Sequence, residues 1–422
     1  MNTSTLRTLA VAFALAHAAT IVPPTPALAQ TPAGQPLDHD VYEIWMDVED
    51  ETISPDGRWV AYALEPEDEG DATLHVRNVD SGEEHTEARG LDPEFDDGSD
   101  FVVFRIEPMR DSVRQARLDD VPGDRMPRDS LGILDLATGD VVRIERVESF
   151  ELPEEGEGVV AYKLHEPLEE PEDSADGGEG EPGAEPGEEG QDDDEEDEKD
   201  KPEGTVLVLR DLASGEEHRY EDVTGYAFAE DGERLAYTAS NEEGDADGAW
   251  VVDVETGEAT RVLGGEGVYR RLAWDEDGEQ LAFVTNRDDW EAEAPAWAVY
   301  RWEAGEADAR DVVMAGSDGV PDGWAPSEHG DVEFSESGDR LYFGSAPAPE
   351  PEPEDTIPDD EEVVVDVWNW QDDYLQPMQL ERREEELNRS WLAVAHLDDG
   401  GRIVQLATET VPDVDVGRDG DA

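Results

Sequence analysis

The chain has 422 residues, 113 of them acidic and 30 basic, for a formal net charge of −83. Such a charge excludes nucleic acid as a partner, because phosphates would be repelled. It has no cysteine, so disulfides are excluded, but roughly 390 residues beyond the leader suffice to hold a core by burial alone.

Residues 1–29 read as a secretory signal peptide. Arg7 gives a positive start, Leu9 to Val22 is small and apolar, and Ala27-Leu28-Ala29 is a small-residue cleavage site. The run is too poor in bulky apolar residues to span a membrane. Export to the periplasm or the medium is therefore expected, with no membrane span in the mature chain.

The acids are spread along the whole chain, and the only lysines are Lys163, Lys199 and Lys201. At about 1 M salt the screening length falls to about 3 Å and self-repulsion becomes local. The composition therefore predicts a halophilic surface of dense carboxylates.

After a lead-in at 30–40, one pattern organises residues 41–410. Ser54-Pro55-Asp56-Gly57-Arg58-Trp59-Val60-Ala61-Tyr62 reads as a tight turn feeding a buried strand. Proline presets φ, aspartate bonds back to the backbone, and glycine takes the positive φ. Versions return at Phe228–Tyr237, Trp274–Phe283 and Phe334–Phe343, with looser copies at Phe95–Phe104 and Glu154–Tyr162. A second module alternates with it, a strand ending in a glycine turn: Val76–Gly82, Ile133–Gly139, Leu207–Gly215, Trp250–Gly257, Val299–Gly305 and Leu392–Gly400. Paired modules recurring roughly every 42 to 60 residues predict an all-β protein, a β-propeller of four-stranded blades, about six or seven in a complete or incomplete ring.

Four stretches interrupt the pattern. Residues 107–130 predict a loop or a short exposed helix. Residues 166–203, rich in Gly, Glu, Pro and Asp, predict a disordered acidic insert; it lacks the spacing of an EF-hand loop, so weak cation association rather than a calcium site is expected. Residues 345–362 predict another acidic loop. After it, Val363–Trp370 predicts a strand with Trp368 and Trp370 on one face, and Gln376–Arg389 a short surface helix. Residues 411–422 predict an unstructured tail.

The turn-and-strand repeat resembles the N-terminal propeller of the prolyl oligopeptidase family of serine peptidases, and TolB-like propellers. Ser130–Gly139, the acidic insert before Gly204–Gly215, and Asp366–Met378 (Asp-Val-Trp-Asn-Trp-Gln-Asp-Asp-Tyr-Leu-Gln-Pro-Met) are similar to exported bacterial members of that family. The likeness covers about residues 41–410. It implies a propeller capping an α/β-hydrolase domain that carries Gly-x-Ser-x-Gly, then Asp, then His.

No such elbow is present. The nearest string, Ala315-Gly-Ser-Asp-Gly319, has alanine at the first glycine position and no helical pattern after it, so Ser317 reads as a surface turn. The pair Glu154 and Glu155 and the run Glu384 to Glu386 read as solvated charge. His39, His75, His85, His165, His218, His329 and His396 are scattered without metal-ligand spacing. No catalytic, cofactor-binding or metal residue is therefore expected in these 422 positions, and no cofactor. Trp290, Trp297 and Trp324 read as core packing ahead of a pore lining.

Two functions follow. The first is the non-catalytic propeller portion of an exported serine peptidase, gating peptides toward a hydrolase domain. The second is a stand-alone secreted or periplasmic propeller that binds proteins.

Overall fold

The computed structural model describes residues 45–67, 70–167, 201–351, 374–412, 414–417 and 420. The signal peptide and lead-in, most of the acidic insert (168–200) and the Val363–Trp370 strand lie outside the described residues.

Among the described residues, six antiparallel units follow one another, the first five of four strands and the last of five. The first is β1 (Met46–Ile53), β2 (Trp59–Pro66), β3 (Thr73–Asn78) and β4 (Glu84–Ala88). The second is β5 (Gly90–Phe95), β6 (Phe101–Ile106), β7 (Ser130–Asp135) and β8 (Val141–Glu145). The third is β9 (Val147–Glu151), β10 (Val159–Leu164), β11 (Thr205–Asp211) and the first half of β12 (Glu217–Phe228). The second half of β12 opens the fourth, with β13 (Arg234–Ala239), β14 (Gly248–Asp253) and β15 (Glu258–Gly264). The fifth is β16 (Tyr269–Trp274), β17 (Gln280–Thr285), β18 (Ala298–Glu303) and β19 (Arg310–Val313). In the sixth, β20 (Trp324–Pro326) and β21 (Val332–Phe334) both pair with β22 (Arg340–Pro347), followed by β23 (Trp391–His396) and β24 (Arg402–Gln405).

The long β12 joins two units because it changes partner at Val223, which pairs with Thr205 of β11 on one side and Ala239 of β13 on the other. Asp222 turns the chain there with a φ of 59°. This succession of four-stranded meanders is a β-propeller.

The tight turns form for a reason only half visible in Pro-Asp-Gly. Asp56 accepts the Arg58 N–H at 2.8 Å, and Gly57 has a φ of 71°. The residue before the turn matters as much. Ser54 Oγ accepts the Trp59 N–H at 2.9 Å, Asp96 Oδ1 the Phe101 N–H at 2.7 Å, Asp275 Oδ1 the Gln280 N–H at 2.8 Å, and Ser335 Oγ the Arg340 N–H at 3.2 Å. All four are buried, and each satisfies the first donor of the next strand.

Among the described residues, apolar cores hold each successive pair of units together, with a small extra cluster of Ala63, Ala72 and Leu91 between the first two. Trp59, Leu74, Phe104 and Leu134 fill the first; Val103, Leu131, Tyr162 and Val208 the second. Leu207, Leu209, Leu235 and Tyr237 fill the third; Val251, Leu281, Phe283 and Trp302 the fourth; Val284, Val299, Leu341 and Phe343 the fifth. Units two to five thus bury both faces of their sheets, as strands inside a propeller must.

Packing is close enough to forbid a methyl. A Cβ on Gly132 would lie 2.3 Å from the Phe104 ring. Gly132→Ala is expected to destabilise the chain by about 1–3 kcal/mol through overpacking. A urea midpoint equal to that of the parent chain would count against this packing.

The long connections all leave from the second strand of a unit to its third. Residues 107–129 carry α1 (Arg110–Leu118), an exposed helix, which is one of the two outcomes the sequence leaves open. The connection from β22 to β23 carries α2 (Gln376–Glu381) and α3 (Arg383–Leu387). Inner to second strand and third to fourth strand, by contrast, are joined by short turns, so one end of the propeller is smooth and the other bears the insertions. Near the C-terminus Gly420 is buried, and its carbonyl accepts from Tyr342 Oη at 2.5 Å and Arg340 Nη1 at 2.8 Å.

Candidate functional site

The first strand of each unit, β1, β5, β9, the second half of β12, β16 and β20–β21, is the inner strand. One register position recurs on all six. Thr52 pairs with Ala61, Glu94 with Val103, Glu151 with Ala161, Ala227 with Ala236, Ala273 with Ala282, and Glu333 with Tyr342. Four of these positions, Glu151, Ala227, Ala273 and Glu333, line a single cavity of about 630 Å³ at the smooth end. Phe228, Trp274 and Phe334 contribute aromatic surface to the same cavity, and Glu154, Glu230 and Glu336 stand at its rim.

Glu151 is the most perturbed of these carboxyls. Its Oε1 accepts the Phe228 N–H at 3.0 Å. Burial pushes its pKa up to about 7, against the lowering effect of that hydrogen bond and with a further push from the charge of Glu94. Burial, then the neighbouring charge of Asp92, also raises Glu94. Across the wall, Tyr226 Oη lies 3.0 Å from Ser149 Oγ, and burial lifts the phenol well above its ordinary range.

A second cavity, of about 370 Å³, opens at the insertion-bearing end and shares Leu272 with the first. Thr224, Tyr226, Arg270, Arg271 and Glu328 line it. Its wall is cationic but paired. Arg270 Nη1 donates to Glu328 Oε2 at 2.5 Å; Arg271 donates to the Glu328 carbonyl at 2.9 Å, the His329 carbonyl at 3.2 Å and Asp331 Oδ1 at 3.1 Å. Arg271 can reach these groups because it sits in a β-bulge with a φ of 59°. Asp50 (φ 55°) and Asp92 (φ 49°) occupy the corresponding bulges of the first two units, where Asp50 Oδ2 accepts the Asp92 N–H at 3.0 Å.

The residues weighed from sequence fall elsewhere. Ser317 lies in a turn between β19 and β20, with no helix after it, and its Oγ accepts the Met314 N–H at 2.9 Å. His75 stacks on Tyr62 and bonds to Glu84, and His85 stacks on Trp59. Burial, then the charge of Arg128, lowers the pKa of His165. Among the described residues no group of three His, Cys, Asp or Glu side chains is placed to hold a metal. Trp297 is buried in the core between units five and six, Trp290 packs against that core, and Trp324 meets Trp391 at 4.9 Å between ring centroids. Glu154 and Glu155 are exposed, and Glu154 stands at the cavity rim.

The sequence reading did not find Glu151, the shared inner-strand position or the arginine pair. A signal existed for the shared position. It lies nine residues before the residue that precedes the second strand's aromatic, and ten in the third unit.

No protein-family model matches the chain, and no curated protein does either. Among solved structures, the chain is similar to a prolyl endopeptidase (14% identity, 71% of this chain and 39% of that one, TM-score 0.38). It is also similar to the β-propeller domain of the trilobed protease from Pyrococcus furiosus (12% identity, 72% and 79%, TM-score 0.35), and to an oligogalacturonate lyase (11% identity, 85% and 76%, TM-score 0.34). The chain spans less than half the length of the prolyl endopeptidase.

Proposed function

We propose that this chain is the non-catalytic propeller portion of an exported prolyl oligopeptidase-like serine peptidase. It admits peptides along the inner-strand passage toward an α/β-hydrolase domain outside these 422 residues. The observation that carries this reading is the shared inner-strand position, four of whose six residues line one cavity, with a second cavity adjoining it at Leu272. A passage walled by twisted sheets passes an extended peptide and turns away a folded protein. Its glutamates favour cationic peptides over acidic ones.

The test is kinetic. The purified chain is expected to hydrolyse no peptide by itself, and a turnover abolished by Ser317→Ala would overturn the reading. Sequencing past codon 422 adds a second check, because a following Gly-x-Ser-x-Gly frame supports the peptidase. A stand-alone binding propeller is the second reading. The exposed Met46, Val48 and Ile53 of β1 favour it, since apolar side chains left bare on one strand suit a protein partner.

Export and a high-salt habitat belong to the same proposal. Among the described residues no helix is long and apolar enough to cross a membrane. With a formal charge of −83, the melting temperature is expected to rise steeply between dilute buffer and molar salt. Equal melting in both would refute the halophilic reading.

A further inference from the structure

We propose that residues 327–331 form a strap, held shut by Arg270 and Arg271, that controls access to the inner-strand passage from its insertion-bearing end. The proposal rests on reading the inner-strand cavities as a passage, and goes beyond it by naming the element that opens one end.

The inner strands β1, β5 and β16 each absorb their irregularity in a short bulge with one residue in the left-handed region, Asp50, Asp92 or Arg271. The sixth unit departs from this. Pro326 pairs with Ser345 and Val332 with Phe343, so five residues, Ser327 to Asp331, stand opposite Gly344 alone. The excursion is pinned at its base. Ser327 N–H donates to the Gly344 carbonyl at 2.9 Å, and Gly330 approaches Gly344 so closely that a Cβ on it would lie 2.4 Å from the Gly344 Cα. Its sequence, Ser-Glu-His-Gly-Asp, offers no apolar side chain to a core.

What holds it against the neighbouring unit is the guanidinium pair. Arg270 bonds the Glu328 carboxylate, and Arg271 reaches two strap carbonyls and the Asp331 carboxylate. The Arg270 guanidinium is in turn set over the Trp297 ring at 5.8 Å, which fixes its direction. Glu328 lines the cavity together with Thr224 and both arginines, so the strap lies at the opening itself. Releasing it breaks charge-assisted hydrogen bonds and disrupts no apolar core, the mark of a low-energy local opening.

The chain's lack of cysteine allows a direct test. Thr224→Cys places a thiol in this cavity, and Glu230→Cys places one at the opposite rim. Maleimide labelling of each is measured with Arg271 intact, with Arg271→Ala and with Arg271→Lys. Labelling at 224 is expected to rise about tenfold or more with Arg271→Ala, which removes all three of its hydrogen bonds to the strap. Arg271→Lys is expected to fall between, and labelling at 230 to stay constant. An unchanged rate at 224 overturns the strap while leaving the passage standing. No labelling at 224 in any background overturns the passage and the strap with it. If Thr224→Cys folds poorly, amide exchange of residues 327–331 with and without Arg271→Ala decides the matter, and equal exchange overturns the proposal.

Discussion

Asp247→Ala is expected to cost about 3–5 kcal/mol of stability, the range for removing one partner of a buried ion pair. Asp247 is fully buried. Its Oδ2 accepts Lys201 Nζ at 2.8 Å and the Gly267 N–H at 3.1 Å, and its Oδ1 accepts the Asn241 N–H at 3.1 Å. The Lys201 side chain is itself only 11% exposed. Removing the carboxylate strands an ammonium and two backbone donors away from water. Asp247→Asn should cost less, because an amide oxygen still accepts from one donor. Urea titration of both variants checks this, and a loss below about 1 kcal/mol for the alanine variant would mean that water reaches the site.

Glu151→Gln should stabilise the chain in alkali and leave it unchanged in acid. The folded pKa stands near 7, against an ordinary 4.5. Above about pH 7 the carboxyl is ionised in both folded and unfolded chains, and holding that charge in the wall costs the folded state about 3 kcal/mol. Below about pH 4.5 it is neutral in both, and the penalty disappears. Glutamine keeps an acceptor for the Phe228 N–H without the charge. At pH 8 the variant is therefore expected to be more stable by about 2–3 kcal/mol, a gain that closes through pH 7 to 4.5. Parallel stability curves for the two chains across that range would show that Glu151 is solvated after all.

The aromatic-ended second strands were legible from local chemistry. Ser54 to Tyr62 contains its own turn, strand and terminal aromatic, so the repeat announces itself within ten residues. The helix at 110–118 was legible only as one of two alternatives, the other being a loop. Glu151 was not, because one extra residue lies between it and Ala161, which hides the match to Glu94 and Glu333. The bulges were not legible either. An aspartate or arginine in the left-handed region has no local signature that separates it from an ordinary strand residue.

By itself the sequence determined the strand-and-turn rhythm, the lack of a Gly-x-Ser-x-Gly string in these 422 positions and the excess of acidic residues, since each depends on residues close in the chain or on composition. Only the tertiary structure decided which inner-strand positions share a cavity, that Arg271 closes on Glu328 across 57 residues, and that Asp247 buries against Lys201 across 46. Those partners meet because successive sheets pack face to face, and sheet-on-sheet packing brings together side chains that no local pattern links.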